Sequence, residues 1–124
     1  MKQVFVIDDD IDMRDIIVYA LETNGLNVIA FSNAEEALAV LNNCPNEKLP
    51  GLIIVDYLMP IMDGAEFVRT IQQSSRKELL TIPLAVSSAM GPQDEVLSQL
   101  QNVIHLPKPM DLDDLLRVVK KHCS

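Results

Sequence analysis

The sequence has few cysteines, few basic residues and no long hydrophobic run, and each shortage excludes a class of protein. Its two cysteines, Cys44 and Cys123, are too few for a disulfide framework and lack metal-ligand spacing. We therefore expect free thiols in a reducing compartment and a cytoplasmic location. Because no apolar run approaches the roughly 20 residues of a membrane-spanning helix, we expect neither a membrane anchor nor a signal peptide.

The shortage of basic residues bears on the partners of the protein. Ten Lys+Arg against 18 Asp+Glu give a net charge of −8. Nucleic acids and anionic membranes attract basic surfaces, so we expect neither as a direct partner. The length of 124 residues and the 48% hydrophobic content are typical of a single globular domain. We expect that domain to span residues 1–124.

Short apolar runs alternate along the chain with stretches of helical periodicity. The first four runs are continuous rather than alternating, which favours strands covered on both faces, as in a parallel sheet. Strands that alternate with helices predict right-handed crossovers and helices on both faces of the sheet. The fold class is therefore α/β, with a doubly wound, five-stranded parallel sheet of the (βα)5 type. The five runs are residues 4–7, 28–31, 52–55, 83–86 and 103–106.

Capping residues predict where the helices begin. The patterns that carry these predictions are Asp10 as an N-cap, Ser32 with Glu35, Asp63 with Glu66, and Gly91-Pro92 as a start signal for the fourth helix.

Polar side chains follow four of the five predicted strands. In an open parallel sheet, ligands bind beyond the carboxyl ends of the strands. We therefore expect these side chains to converge at one edge of the sheet. They are Asp8, Asp9 and Asp10 after the first strand, Asp56 after the third, Ser87 and Ser88 after the fourth, and Lys108 after the fifth.

This set of side chains predicts phosphoryl chemistry. Carboxylates about 4 Å apart repel by about 4 kcal/mol per pair at an effective dielectric near 20, so they need a cation or a proton. Mg²⁺ is the natural cation, because it binds carboxylates, waters and phosphate oxygens. An Asp in such a site can attack phosphorus and form an aspartyl phosphate, while a lysine and a hydroxyl stabilise the phosphoryl oxygens.

The motifs around these positions are similar to those of one known family. The stretches Val6-Ile7-Asp8-Asp9-Asp10, Val55 to Gly64, Ser88-Ala89 and Lys108-Pro109 resemble the receiver domain of two-component response regulators. The resemblance covers essentially the whole chain, and its Asp-x-x-Met-Pro-x-Met-Asp-Gly stretch is highly specific. It implies the flavodoxin-like strand order 2-1-3-4-5, and a signalling domain that takes a phosphoryl group from a sensor histidine kinase or phosphotransfer protein and acts on a downstream protein target.

The resemblance also implies a role for each matching residue. Asp56 matches the phosphoacceptor, Lys108 the lysine that pairs with the phosphoryl group, and Ser88 the hydroxyl that moves to bond it. The Mg²⁺ ligands implied are Asp9, Asp56 and the backbone carbonyl of Leu58, with Asp8 holding metal-bound water. Lys108-Pro109 matches a peptide bond that is cis in the family.

Two positions bear on how such a receiver switches and how long it stays phosphorylated. His105 stands where the family usually has Tyr or Phe, the side chain that turns inward when the hydroxyl of Ser88 moves. Leu58 and Met90, each two residues beyond a site residue, are apolar and cannot orient an attacking water. We therefore predict slow self-dephosphorylation, on the order of hours.

Three other functions are also compatible with parts of the sequence. Asp8-x-Asp10 superficially matches the nucleophile motif of haloacid-dehalogenase-type phosphohydrolases, but the chain offers no cap domain. A receiver-like binding module without phosphotransfer is a second alternative. A flavodoxin-like domain that binds FMN is a third alternative. The absence of a loop rich in Ser, Thr and Gly after the first strand argues against it.

Overall fold

The structure, a computed structural model, describes residues 2–89 and 95–123 and consists of one parallel sheet with helices on both faces. The sheet order is 2-1-3-4-5, which confirms the predicted fold class. The strands are β1 Val4–Ile7, β2 Val28–Phe31, β3 Leu52–Asp56, β4 Leu84–Ser88 and β5 Val103–Pro107. The helices are α1 Ile11–Glu22, α2 Ala34–Asn43, α3 Gly64–Gln72, α4 Glu95–Ser98 and α5 Leu112–Cys123, with 3₁₀ helices at Asn46–Lys48 and Lys77–Thr81.

The side chains of the sheet alternate between two hydrophobic cores. On β3, Ile53 and Val55 belong to the core under α2, α3 and α4, whereas Leu52 and Ile54 belong to the core under α1 and α5. This alternation follows from the two-residue period of a strand and explains why the central strands are apolar throughout. In the part of the chain that is described, no helix has the length and apolar character needed to cross a membrane.

The prediction that the first four strands are covered on both faces is wrong for β2. This strand lies at the edge of the sheet and pairs only with β1 among the described strands. Its middle residues, Ile29 and Ala30, are exposed, and only Phe31 is buried. An apolar run therefore does not distinguish a central strand from an edge strand whose flank is open to solvent.

Two of the predicted helix caps are confirmed. The side chain of Asp10 accepts hydrogen bonds from the backbone N–H groups of Asp12 and Met13 at the start of α1. The side chain of Asp63 accepts one from the N–H of Glu66 at the start of α3. Each cap satisfies backbone donors that the first helical turn leaves unpaired.

The predicted cap of the second helix is wrong by one residue. Asn33 rather than Ser32 is the N-cap, and its Oδ1 accepts a hydrogen bond from the N–H of Glu36 at 2.8 Å. The side chains of Asn33 and Glu36 also bond each other at 3.2 Å. Both neighbouring pairs have a capping spacing, so sequence alone does not choose between them. The start signal Gly91-Pro92 lies outside the described residues.

Arg76 ties down the loop between α2 and β3, which the sequence shows only as irregular. Its guanidinium donates to the backbone carbonyls of Leu41 at 2.5 Å and Cys44 at 2.6 Å, and to Oδ1 of Asn46 at 2.7 Å. One side chain thus satisfies carbonyl groups at the end of α2 and fixes the following 3₁₀ helix. This contact lies at the amino ends of the strands, opposite the edge where the polar side chains gather.

Candidate functional site

Two buried carboxylates stand side by side at the carboxyl edge of the sheet. β1 and β3 pair with Ile7 opposite Val55, so Asp8 and Asp56 follow at the same level. These two residues are only 2% and 5% exposed, whereas Asp9 is exposed. One carboxylate oxygen from each of the three aspartates lies within 4.8 Å of the other two. The register of the sheet therefore assembles the acidic cluster that the sequence predicts.

The ammonium group of Lys108 lies against this cluster. Its Nζ donates a hydrogen bond to Oδ1 of Asp56 at 2.7 Å. The backbone N–H of Lys108 donates to the carbonyl of Ser88 at 3.0 Å, which ties the end of β5 to the end of β4. The Lys108–Pro109 peptide bond is cis, as the resemblance implies. Lys108 thus reaches across β4 to the acid at the end of β3, and it pairs with only one of the three carboxylates.

Asp8 is an acid whose ionisation its surroundings disfavour. Burial raises the pKa of Asp8 above its ordinary value, and the charges of Asp56 and Asp9 act in the same direction. Two interactions lower it: the backbone N–H of Asp10, which donates to Oδ1 of Asp8 at 2.9 Å, and the charge of Lys108. Burial dominates the balance, so a further positive charge at this position would stabilise the ionised cluster.

The donor set fits a small, hard divalent cation. Mg²⁺ takes oxygen ligands at about 2.1 Å in an octahedron, so opposite ligands lie about 4.2 Å apart. The three carboxylate oxygens, all within 4.8 Å of one another, are spaced closely enough to surround one such ion. The acidic cluster therefore has the oxygen donors and the spacing to hold a metal ion.

Arg14 contacts the site in a way that the sequence analysis missed. Its Nη1 donates to the backbone carbonyl of Asp8 at 2.8 Å. This contact fixes the peptide that carries the acidic pair. An arginine near the start of a helix is usually solvated. The sequence therefore does not predict that Arg14 reaches back to the end of β1.

Gly64 allows the loop after β3 to close against the strand that carries Asp56. Its N–H donates to the carbonyl of Tyr57 at 2.8 Å. A Cβ at this position would lie 2.7 Å from the carbonyl oxygen of Asp56 and 2.9 Å from the Cα of Tyr57. Real Cβ atoms do not approach a backbone this closely, so the start of α3 requires glycine here.

The remaining predicted site residues lie at or near the same edge. Ser88 is buried at the end of β4, one residue beyond the partner of Asp56 in the strand register. His105 is half-buried on β5 opposite Val86. The side chain of Leu58 is 72% exposed in the loop after β3. The roles expected of these three residues remain predictions, and Met90 lies outside the described residues.

Comparisons with known proteins give relatives over nearly the full length of the chain. A 14.6 kDa protein from the sodA1 3′ region of Leptolyngbya boryana, described as uncharacterized, is 33% identical over 97% of this chain and 88% of its own length. The DNA-binding transcriptional regulator NtrC of Salmonella typhimurium is 33% identical over 98% of this chain. The match covers 24% of NtrC, so this chain spans about a quarter of that relative.

A solved structure shares the architecture. The signal receiver domain of a signal transduction histidine kinase from Syntrophus aciditrophicus superposes with a TM-score of 0.84 and 27% identity, covering 98% of this chain and 89% of that one. The response regulator receiver domain family matches residues 4–120. These matches confirm the resemblance seen in the motifs: the chain belongs to the response regulator receiver domain family and is a response regulator receiver.

Proposed function

We propose that Asp56 accepts a phosphoryl group from a phosphohistidine on a sensor histidine kinase or a phosphotransfer protein. The observation that carries this proposal is the contact between Lys108 and Asp56 inside the acidic cluster. An acid that is almost buried, held by a lysine and flanked by Asp8 and Asp9, can attack phosphorus while the surrounding charges hold the phosphoryl oxygens. We propose that residues 1–124 form this one receiver domain, which acts only on its own phosphoryl group.

The proposed transfer is an in-line displacement. A carboxylate oxygen of Asp56 forms a bond to phosphorus, the phosphorus–nitrogen bond of the donor breaks, and the imidazole leaves with the electron pair. The product is an acyl phosphate on Asp56. Lys108 then pairs with the phosphoryl oxygens rather than with the acceptor carboxylate, because the charge now lies farther from the strand end.

Asp9, Asp56 and the backbone carbonyl of Leu58 would hold Mg²⁺, with Asp8 binding one of its waters. The ion would neutralise charge on the phosphoryl oxygens. The chain's own carboxylates would position the ion. Protonated carboxyls do not bind a cation, and burial raises the pKa of Asp8. Binding of the ion should therefore weaken as the pH falls below neutral.

Signalling in this proposal is a shift between two conformations. Ser88 moves toward the phosphoryl group, and His105 turns into the space that this movement leaves. The shift changes the surface formed by α4, β5 and α5, which a downstream protein target reads. Phosphorylation supplies the differential energy, since only the phosphorylated acceptor attracts the hydroxyl of Ser88.

The contacts of Asp10 speak against the phosphohydrolase alternative. That mechanism needs both acids of Asp8-x-Asp10 at the reacting phosphorus. The carboxylate of Asp10 instead caps α1, with both of its hydrogen bonds directed to backbone N–H groups. The acid that Lys108 holds is Asp56, on a different strand.

Intact-mass analysis tests the proposal. We expect the wild-type protein to gain the mass of one phosphoryl group after incubation with acetyl phosphate and Mg²⁺, and Asp56→Asn to gain none. Asp15→Asn, which removes an exposed acid on α1, is the matched control and should be phosphorylated like the wild type. A phosphoryl group that is still gained by Asp56→Asn contradicts the assignment.

A further inference from the structure

Arg14 lies near the start of α1, and its guanidinium contacts the backbone of the acidic cluster. Nη1 donates to the carbonyl oxygen of Asp8 at 2.8 Å, and the residue is half-buried. Several acidic residues stand close to Arg14 in the sequence, yet its guanidinium forms no ion pair with a carboxylate of the described residues. The side chain therefore uses its donor on a neutral backbone oxygen at the site rather than on a neighbouring acid.

Asp8 and Asp9 differ in how firmly they are held. Asp8 is buried, its N–H donates to the carbonyl of Phe31 at 3.1 Å, and its Oδ1 accepts from the N–H of Asp10 at 2.9 Å. Asp9 is exposed, and no other described residue forms a hydrogen bond with its carboxylate. The direction of the Asp9 side chain therefore depends on the backbone that carries it.

The contact of Arg14 fixes that backbone. The carbonyl of Asp8 and the N–H of Asp9 belong to one planar peptide unit, so holding the carbonyl oxygen also sets the direction in which the chain enters Asp9. The carboxylate of Asp9 is one of the three whose oxygens lie within 4.8 Å of one another. Without the contact this peptide unit is freer to rotate, and the exposed carboxylate spends less time within reach of an ion that Asp56 also binds.

The charge of Arg14 acts less on the site than its hydrogen bond does. A positive charge beside a metal site would repel Mg²⁺ and so oppose binding. The charges that shift the pKa of the Asp8 carboxylate belong to Asp56, Lys108 and Asp9, and the charge of Arg14 is not among them. The guanidinium thus reaches Asp8 from its backbone side. Loss of the hydrogen bond should therefore outweigh the relief of repulsion, and removal of Arg14 should weaken Mg²⁺ binding.

We propose that Arg14 is a positioning residue for Mg²⁺, which holds the peptide between Asp8 and Asp9 so that the Asp9 carboxylate is in place to bind the ion together with Asp56. This inference rests on the proposed function, in which Asp9 and Asp56 hold Mg²⁺. Contacts that orient a metal ligand are typically worth about 10- to 100-fold in metal affinity. Arg14 acts on the backbone next to the ligand, so we expect an effect at the lower end, about tenfold.

The test measures Mg²⁺ affinity from urea unfolding at increasing Mg²⁺ concentration, without any phosphoryl donor. An ion that binds only the folded protein raises the unfolding midpoint, and the concentration at which the rise begins gives the affinity. Arg14→Met keeps the aliphatic stem and should bind Mg²⁺ about tenfold more weakly than the wild type. Arg14→Lys keeps a charged donor and should bind more tightly than Arg14→Met. Arg69→Ala, which removes an exposed cation on α3, is the matched control and should bind like the wild type.

A second comparison separates positioning of Asp9 from a general loosening of the fold. Asp9→Asn should weaken Mg²⁺ binding by itself, and adding Arg14→Met to it should weaken binding no further, because the group that Arg14 positions is gone. An equal loss of affinity in both backgrounds overturns the inference. A midpoint for Arg14→Met that is lower by the same amount at every Mg²⁺ concentration also overturns it, because that result shows a purely structural role.

The outcomes separate this inference from the proposed function. Unchanged Mg²⁺ affinity in Arg14→Met overturns the inference and leaves the assignment of Asp56 as acceptor intact. A wild-type midpoint that does not respond to Mg²⁺ overturns both the inference and the proposed metal site, whereas the acceptor assignment is decided by the gain of phosphoryl mass. Should Arg14→Met fail to fold, Arg14→Gln supplies a shorter polar side chain, and unchanged affinity in that variant overturns the inference in the same way.

Discussion

Lys108 and Asp56 are 52 positions apart in the sequence, yet the ammonium nitrogen of one lies 2.7 Å from a carboxylate oxygen of the other. The contact spans β4, since Asp56 ends β3 and Lys108 follows β5. Asp56 is the one carboxylate of the cluster to which Lys108 donates a hydrogen bond. The contact therefore defines where a transferred phosphoryl group would meet a positive charge.

Replacing Lys108 with Met should impair both folding stability and phosphorylation. The change keeps the aliphatic stem but leaves Asp56 buried without its counter-charge. We expect a loss of about 1–2 kcal/mol at pH 7, less than for a fully buried pair because Lys108 is partly exposed. Phosphorylation by acetyl phosphate should slow by about tenfold or more. Urea unfolding and intact-mass time courses measure the two effects, and equal rates in Lys108→Met and in the exposed control Lys77→Met would contradict the role of the pair.

Asp8→Asn should stabilise the protein at neutral pH in the absence of divalent cations. Because burial raises the pKa of Asp8, the folded protein binds this proton more tightly than the unfolded chain does. The stability that Asp8 contributes is therefore greatest below the ordinary Asp range and is lost as the pH rises through the raised pKa. Asn carries no charge and avoids this loss. Urea unfolding with a chelator should show a gain at pH 7 that vanishes near pH 3; a gain independent of pH would refute the burial argument.

Gly64→Ala should disturb the site, whereas Gly25→Ala should not. A Cβ at Gly64 meets the backbone of Asp56 and Tyr57, so we expect a loss of about 2–3 kcal/mol and slower phosphorylation. Gly25 has a positive φ of 80° in the turn after α1, with nothing within 4 Å of its Cβ position. Its substitution should cost about 1 kcal/mol from backbone strain alone. Unfolding and phosphorylation rates of both variants test the contrast, which fails if both slow phosphorylation equally.

Arg76→Ala should destabilise the fold without affecting the acidic site. The substitution removes the donors to two carbonyls and one side-chain amide. We expect a loss of about 2–3 kcal/mol, because these acceptors are partly buried and water replaces the guanidinium poorly. Arg69→Ala on α3 is the control, for which the described residues show no such contacts. A normal unfolding midpoint for Arg76→Ala would show that the loop does not depend on this side chain.

The phosphoryl lifetime should respond to the side chain at position 58. Leu58 is exposed near the acceptor and has no group that can orient water for attack on phosphorus. We expect a wild-type lifetime on the order of hours, and a several-fold shorter one in Leu58→Gln, whose amide can hold a water. Decay of the phosphorylated mass over time measures both. A wild-type lifetime of seconds would show that apolar character at this position does not limit hydrolysis.

The sequence predicts the strands and the acidic edge well, because both depend on local patterns. Parallel strands bring their carboxyl ends to one edge, so Asp8, Asp56 and Lys108 follow from where the apolar runs end. The exposure of β2 does not follow from its continuous apolar run, but it agrees with the strand order 2-1-3-4-5 that the resemblance implies, in which β2 lies at the edge. The contacts of Arg76 and Arg14 could not be predicted from the sequence. The hydrogen-bond partners of a long side chain depend on the positions of backbone segments that are distant in sequence.

The carboxyl and amino ends of the strands have different roles in the structure. The acidic residues and Lys108 occupy one end, while Arg76 fastens the connection that precedes β3 at the other. Insertions or deletions in that connection would alter the anchoring of a surface segment and leave the reacting groups where they are. Sequence changes in that connection should accordingly alter folding stability while leaving the proposed phosphoryl transfer unchanged.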